Sequence, residues 1–159
     1  MTHANPIDAD DARTAAMLAA AGALCAKRGV RLTDLRREVL GLILRARQPM
    51  GAYALLEQMR GTRRAAAPPT VYRALEFLQE QGLVHKIERL AAFIPCIEGP
   101  EHAHHHQAQF LICRRCGGVT EIDDHALADA LAAAAARAGF TVSGATVEAE
   151  GLCGDCLRA

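Results

Sequence analysis

The chain has 159 residues, of which 51% are hydrophobic, and its 18 Lys/Arg are balanced by 18 Asp/Glu. This length allows one ordinary domain or two small ones. No apolar run reaches membrane-spanning length, and the acidic N-terminus, residues 1–11, lacks a signal-peptide core. The sequence therefore predicts a cytoplasmic protein with no membrane association.

The neutral total hides an uneven distribution of charge. Residues 1–90 carry 14 Lys/Arg against 9 Asp/Glu, whereas residues 91–159 carry 4 against 9. Between Lys27 and Arg73 there are 11 basic and only 3 acidic residues. Such a run indicates a polyanion-binding domain, although ordinary solvated helix faces can produce the same pattern.

Hydrophobic spacing in residues 11–90 predicts four helices and a hairpin, preceded by a flexible segment at residues 1–10. The helices are expected at about 11–28, after Thr33, at 53–59 and at 68–81, and the hairpin strands at 83–87 and 91–96. Cys25 lies on the apolar face of the first helix and is expected in the core. Helices followed by a hairpin predict a winged helix-turn-helix, a DNA-binding fold.

The fourth predicted helix is the candidate for reading DNA. Arg73 lies about 200° around the helix from the core residue Val71, and its guanidinium can donate two hydrogen bonds to guanine. Thr70 and Tyr72 can reach a phosphate or a thymine methyl group, while Tyr53 is either a DNA contact or a half-buried core residue. Further candidate phosphate contacts are Arg36, Arg37, Arg63 and Arg64. The alternative for each is a solvated surface residue.

The second half, residues 91–159, is predicted to be a small α/β domain, which makes the whole chain α+β. Strands are expected at 109–113 and 119–122, and an alanine-rich helix between Asp124 and Gly139. Residues 140–150 alternate in polarity, but the register shifts at residues 143–144, which indicates a bend.

Two Cys-x-x-Cys pairs frame this second half, Cys113/Cys116 and Cys153/Cys156. Two pairs of thiolates form the closed tetrahedral set that a structural Zn²⁺ prefers, with no position open for a substrate. A redox dithiol would require only one pair. The spacing therefore predicts a structural zinc site.

A second, mixed set of ligand types lies near the junction of the halves: His85, Cys96, the cluster His102, His104, His105 and His106, and Glu121. Nitrogen, sulfur and carboxylate oxygen together suit zinc better than iron or calcium. Each residue also has an ordinary structural explanation. His85 would be a partly exposed strand residue, Cys96 a small core side chain and Glu121 a surface acid.

Several segments in this order resemble the ferric uptake regulator family, and most closely its zinc uptake regulator branch. They are Gly29-Val-Arg-Leu-Thr33 with Arg36, Pro68-Pro-Thr-Val-Tyr-Arg-Ala-Leu75, Gly82-Leu-Val-His85-Lys86 and the two cysteine pairs. The resemblance covers the chain from about residue 15 onwards. It implies a homodimeric repressor with an N-terminal winged helix and a C-terminal dimerisation domain.

The resemblance also implies two zinc ions per subunit, one structural in the four cysteines and one regulatory at the hinge. The hinge ligands would be His85, Cys96, His106 and Glu121. His106 is chosen because it stands seven residues before Cys113, with His102, His104 and His105 as alternates. The loaded dimer would bind a palindromic double-stranded operator and repress zinc-uptake genes. The resemblance raises Arg73 and Tyr53 as DNA contacts.

Two rivals remain at this point. A sensor of the same fold could respond to iron, manganese, peroxide or haem. However, the iron-sensing members usually carry a denser histidine run before the first cysteine pair, where this chain has His106-Gln-Ala-Gln109. A zinc enzyme is the remote alternative, but the chain has no His-Glu-x-x-His and no deaminase signature. We therefore expect no enzymatic activity.

Overall fold

The computed structural model describes residues 6–61, 67–96 and 108–159, with side chains from residue 11 onward. The chain divides into two compact units, Met1–Ala103 and His104–Ala159, and each is described by itself. None of the helices within the described ranges is long and apolar enough to cross a membrane.

The described residues of unit 1 form four α-helices, one short 3₁₀ helix at Glu88–Leu90 and a three-stranded sheet. The helices are α1 (Pro6–Lys27), α2 (Asp34–Arg45), α3 (Ala52–Arg60) and α4 (Pro68–Glu80), and the strands are β1 (Met50–Gly51), β2 (Val84–Ile87) and β3 (Ala92–Pro95). The sheet is antiparallel in the order β1-β3-β2. The short strand β1 was not predicted, because two residues are too few to show alternation.

Local sequence signals place the helices of unit 1. The Thr33 hydroxyl accepts a hydrogen bond from the backbone N–H of Arg36, which confirms the predicted N-cap of α2. Pro68 and Pro69 open α4 at positions where a missing N–H costs nothing. Val71, Leu75 and Leu78 form the buried stripe of α4, as predicted.

A single apolar core fills unit 1. It is built from α1, α2, α3 and α4 and closed by the hairpin strands, with Cys25 and Val39 among its fully buried members. The expectation that Cys25 is a core residue is confirmed, since it is 1% exposed. The hairpin is also confirmed, and β3 pairs with β1 and β2 although it lies beyond the predicted boundary after residue 90. Helices followed by this hairpin form a winged helix-turn-helix.

Unit 2 is a small mixed sheet with two helices. Its elements are β4 (Gln109–Cys113), β5 (Val119–Ile122), α5 (His125–Arg137), β6 (Val147–Gly151) and α6 (Gly154–Arg158). The sheet order is β5-β4-β6, with β5 antiparallel and β6 parallel to β4. Asp124 caps α5 by accepting from the Leu127 N–H at 3.1 Å, as its acidic side chain predicted.

Two features of unit 2 differ from the expectation. Residues 140–150 alternate in polarity, but they form a strand only at Val147–Gly151, after the bend at residues 143–144. The short helix α6 was not predicted, because five residues are too few for a hydrophobic period. Although α5 is alanine-rich, none of its residues is buried.

Candidate functional site

The four cysteines of the two pairs lie together in unit 2. Cys113 ends β4, Cys116 follows in the next turn, Cys153 follows β6 and Cys156 lies in α6. Their sulfur atoms all lie within 4.8 Å of one another. The Sγ atoms of Cys116 and Cys153 are 3.8 Å apart. With zinc–sulfur bonds of about 2.3 Å, the edge of a sulfur tetrahedron is about 3.8 Å, so the spacing fits this metal.

Backbone geometry shapes the first cysteine turn. The Cys113 N–H donates to the Gly118 carbonyl at 2.9 Å, and Gly117 adopts a positive φ of 71°. A Cβ built on Gly118 would lie only 3.3 Å from the Cys116 Sγ. The glycine pair therefore lets the chain turn tightly behind the sulfur atoms.

The same backbone stabilises a thiolate. Backbone N–H groups of Cys116, Cys153 and Arg115 donate towards the Cys113 sulfur and lower the pKa of this thiol to about 6; the Cys153 N–H lies 3.4 Å from the Sγ. A hydrogen bond with Cys153, followed by burial and the other thiols, raises the pKa of Cys156 to about 12. Once one thiol is ionised, its negative charge raises the pKa of the neighbouring thiols. A divalent cation bound among the sulfur atoms compensates this charge and favours the thiolate form of all four.

Arg115 connects the two cysteine pairs. It lies between Cys113 and Cys116, and its Nη1 donates to the carbonyl oxygen of Cys156 at 2.7 Å. The role of Arg115 was not predicted, and its position between the two cysteines of the first pair is the sequence signal that could have identified it. Four sulfur ligands fill a tetrahedral coordination sphere, so the site suits a structural metal and leaves no position for a substrate.

In unit 1, the hairpin brings two other predicted ligands to one face. His85 in β2 is opposite Ile94 in β3, and Cys96 follows β3 and donates its N–H to the Leu83 carbonyl at 3.2 Å. Residues directly opposite in an antiparallel pair share a face, so His85 and Cys96 are diagonal neighbours. His85 is half-buried and Cys96 is 1% exposed.

The remaining predicted ligands belong to unit 2 or lie outside the described residues. Glu121 is in β5, opposite Phe110, and is only 7% exposed. A buried carboxylate is normally paired or bound to a metal. The histidines at 102, 104, 105 and 106 fall outside the described residues.

The outward face of α4 presents the predicted reading residues. Thr70, Tyr72 and Arg73 are exposed, while the neighbouring Val71 and Ala74 are buried. Tyr53, near the start of α3, is 73% exposed, so the alternative of a half-buried core residue is wrong. Arg63 and Arg64 fall outside the described residues.

Arg36 and Arg37, predicted as phosphate contacts, make internal contacts in unit 1. The Nη1 of Arg36 donates to the Arg31 carbonyl at 2.6 Å, and the Nη1 of Arg37 donates to the Leu18 carbonyl at 3.1 Å.

A winged helix-turn-helix unit and a small unit with a four-cysteine metal site define a metal-binding protein of the winged-helix class. The ferric uptake regulator family model matches residues 27–150, and the chain belongs to this family.

The chain is similar to zinc uptake regulators from other sources. It is 41% identical over 147 residues to the zinc uptake regulation protein of Escherichia coli K12, which covers 91% of this chain and 84% of that protein. A solved zinc uptake regulator complexed with zinc and DNA superposes with a TM-score of 0.85 at 41% identity, covering 91% of this chain and 95% of that one. The solved structure of holo XcZur superposes with a TM-score of 0.82 at 42% identity, covering 91% of this chain and 99% of that one.

Proposed function

We propose that this chain is a zinc-responsive transcriptional repressor whose zinc-loaded homodimer binds a palindromic operator and represses zinc-uptake genes. The observation that carries the proposal is the match, over 91% of the chain, to a zinc uptake regulator complexed with zinc and DNA. The exposed face of α4 supports it independently, since a helix that presents Arg73, Tyr72 and Thr70 suits a major groove.

The proposed DNA contacts divide into two kinds. Arg73, Tyr72 and Thr70 from α4 contact base edges and the adjacent backbone, and Tyr53 contacts DNA from α3. Arg63 and Arg64 supply sequence-independent attraction to phosphates, which makes binding depend on salt.

We assign two zinc ions per subunit. The first is structural and is held by the four cysteines of unit 2, where the short sulfur distances support it. The second is regulatory and is held by His85, Cys96, His106 and Glu121, with His102, His104 and His105 as alternates. The shared face of His85 and Cys96 and the burial of Glu121 support this set.

Regulation follows from ligands that come from both units. A zinc ion bound to the hairpin of unit 1 and to β5 of unit 2 would fix the reading helices of a dimer at a spacing that matches the operator. Moving that equilibrium from 1:99 to 99:1 requires about 5.5 kcal/mol of preference for the competent state, which several metal–ligand bonds can provide.

The dimer is supported by the uncovered surface of unit 2. Leu127 and Leu131 on α5 are 39% and 36% exposed, and they are one helical turn apart. Among the described strands of unit 2, β6 lies at an edge of the sheet, where a further strand could pair. A second copy covers both features.

The test begins with selection of duplexes from a random DNA pool by zinc-loaded protein. Binding of the selected operator is then measured while zinc, ferrous iron or manganous ion is titrated. We expect binding at the lowest free concentration for zinc. Cys96→Ser should abolish the zinc dependence, whereas Cys25→Ser, a core cysteine of α1, should retain it. Tighter activation by iron or manganese would favour the rival sensor, and normal zinc response in Cys96→Ser would reject the regulatory ligand set.

A further inference from the structure

Two arginines contact the C-terminal half of α4, one at its C-cap residue and one at Phe77. Arg28 follows α1, and its Nη1 donates to the carbonyl oxygen of Gln81 at 2.9 Å and to the Gln81 Oε1 at 3.3 Å. Gln81 is the C-cap residue of α4, where carbonyl groups lack partners within the helix. A cation at this end also complements the helix dipole. Arg28 therefore fixes the C-terminal end of α4 to α1.

Arg36 fixes α4 at a second point. Its guanidinium carbon lies 3.5 Å from the centroid of the Phe77 ring, and Phe77 is a buried residue of α4 that is 8% exposed. The Nη1 of the same side chain donates to the Arg31 carbonyl in the turn between α1 and α2. One guanidinium thus connects this turn with α4, using both its planar face and one of its N–H groups.

The contact with Phe77 lies close to the reading residues. Phe77 is four residues, about one helical turn or 6 Å along the axis, beyond Arg73. Positions four apart lie on the same side of a helix, so Phe77, which is buried, is a neighbour of Arg73, which is exposed. A change in the packing at Phe77 would therefore tilt or shift the segment from which Arg73 projects.

We propose that Arg36, together with Arg28, is a positioning residue that sets the presentation of α4 to DNA and is not a phosphate contact. This inference rests on the proposed function, because it concerns how the same helix meets its operator. The guanidinium of Arg36 is stacked on one ring and bonded to one carbonyl, so its place is set by contacts within unit 1.

The test compares Arg36→Lys and Arg36→Gln by measuring operator affinity at several salt concentrations. Lysine keeps the charge, but its ammonium group cannot both stack on the Phe77 ring and donate to the Arg31 carbonyl as the planar guanidinium does. We expect both variants to weaken operator binding about ten-fold. We also expect both to keep the wild-type slope of log K against log salt, since no phosphate contact is lost.

A phosphate contact predicts the opposite pattern. Lysine would then restore nearly wild-type affinity, and Arg36→Gln would reduce the magnitude of the salt slope by about 0.9. Either result would overturn the proposal.

Hydrogen exchange without DNA gives a second measurement that does not depend on operator binding. Arg36→Gln and Phe77→Leu should both speed exchange of the α4 amides, because each removes one partner of the stack. Arg37→Gln is the matched control, because Arg37 bonds to the Leu18 carbonyl of α1 instead of α4. Unchanged α4 exchange in Arg36→Gln would overturn the inference. Wild-type protein that binds no selected duplex would instead reject the proposed function and leave the exchange result as the deciding measurement.

Discussion

Removing the metal from the four-cysteine site should take away most of the stability of unit 2 while unit 1 keeps its own. The core cluster lies entirely in unit 1, whereas the described part of unit 2 buries only four apolar residues, Ala108, Phe110, Ile112 and Cys113. A unit with so small a core depends on a cross-link for stability.

The size of the effect follows from the length of chain that the metal closes. Cys113 and Cys153 are 40 residues apart in sequence. Joining two points at this separation removes unfolded-chain entropy worth about 4 kcal/mol. At ~0.1 kcal/mol per residue, residues 104–159 have a total stability of about 6 kcal/mol, so most of it is lost without the metal.

Hydrogen exchange measures this loss locally. In Cys116→Ser, or after chelation, exchange of the β4 and β6 amides should accelerate about 1,000-fold, while amides of α2 and α4 stay protected. Cys25→Ser is the matched control: it removes a buried thiol from unit 1 and should leave the β4 and β6 amides unchanged.

Proton release on adding zinc back to the chelated protein gives a second measurement. An unfolded unit releases about four protons at pH 7, one from each thiol. A preformed site releases fewer, because backbone amides already lower the pKa of Cys113 to about 6. Fewer than four protons, with β4 and β6 still protected in the metal-free protein, would refute the reasoning.

Three further predictions concern single residues. Arg73→Ala should lower operator affinity by about 1–3 kcal/mol and remove discrimination at one base pair; an equal loss for every duplex would instead identify a phosphate contact. Leu131→Asp on α5 should shift the protein from dimer to monomer in analytical ultracentrifugation. Ala133→Asp, about 200° around the helix, should not, and a dimer in both variants would contradict the proposed interface. Gly118→Ala should speed the loss of zinc to a chelator, because the added Cβ would crowd the Cys116 sulfur. Gly144→Ala is the control and should match the wild type, since a Cβ there would have nothing within 4 Å. Equal rates in the two variants would show that the turn accommodates the added methyl group.

The sequence predicted those features of the fold and the metal site that depend on residues close together in the chain. The two Cys-x-x-Cys pairs, the Thr33 and Asp124 caps and the buried stripe of α4 were all predictable, because each depends on residues within one or two turns. The extent of β6 was less predictable, because its parallel pairing with β4 depends on residues nearly forty positions earlier.

The contacts of the arginines could not be predicted from sequence. A run of basic residues around Arg36 indicates attraction to a polyanion, but it does not show which guanidinium is used inside the fold. The stacking of Arg36 on Phe77 depends on how α2 packs against α4, and the bond from Arg115 to Cys156 depends on how the two cysteine turns meet. Both are tertiary contacts between residues about 41 positions apart in sequence.

The separation of the cysteine pairs also sets an order of events during synthesis. Cys153 follows Cys116 by 37 residues, which a ribosome adds in about 2–7 s at 5–20 residues per second. Among the described residues of unit 1, the last buried core residue is Cys96, so this unit can fold before the second pair of thiols has been synthesised. The four-cysteine site can therefore be completed only after all of unit 1 has been synthesised.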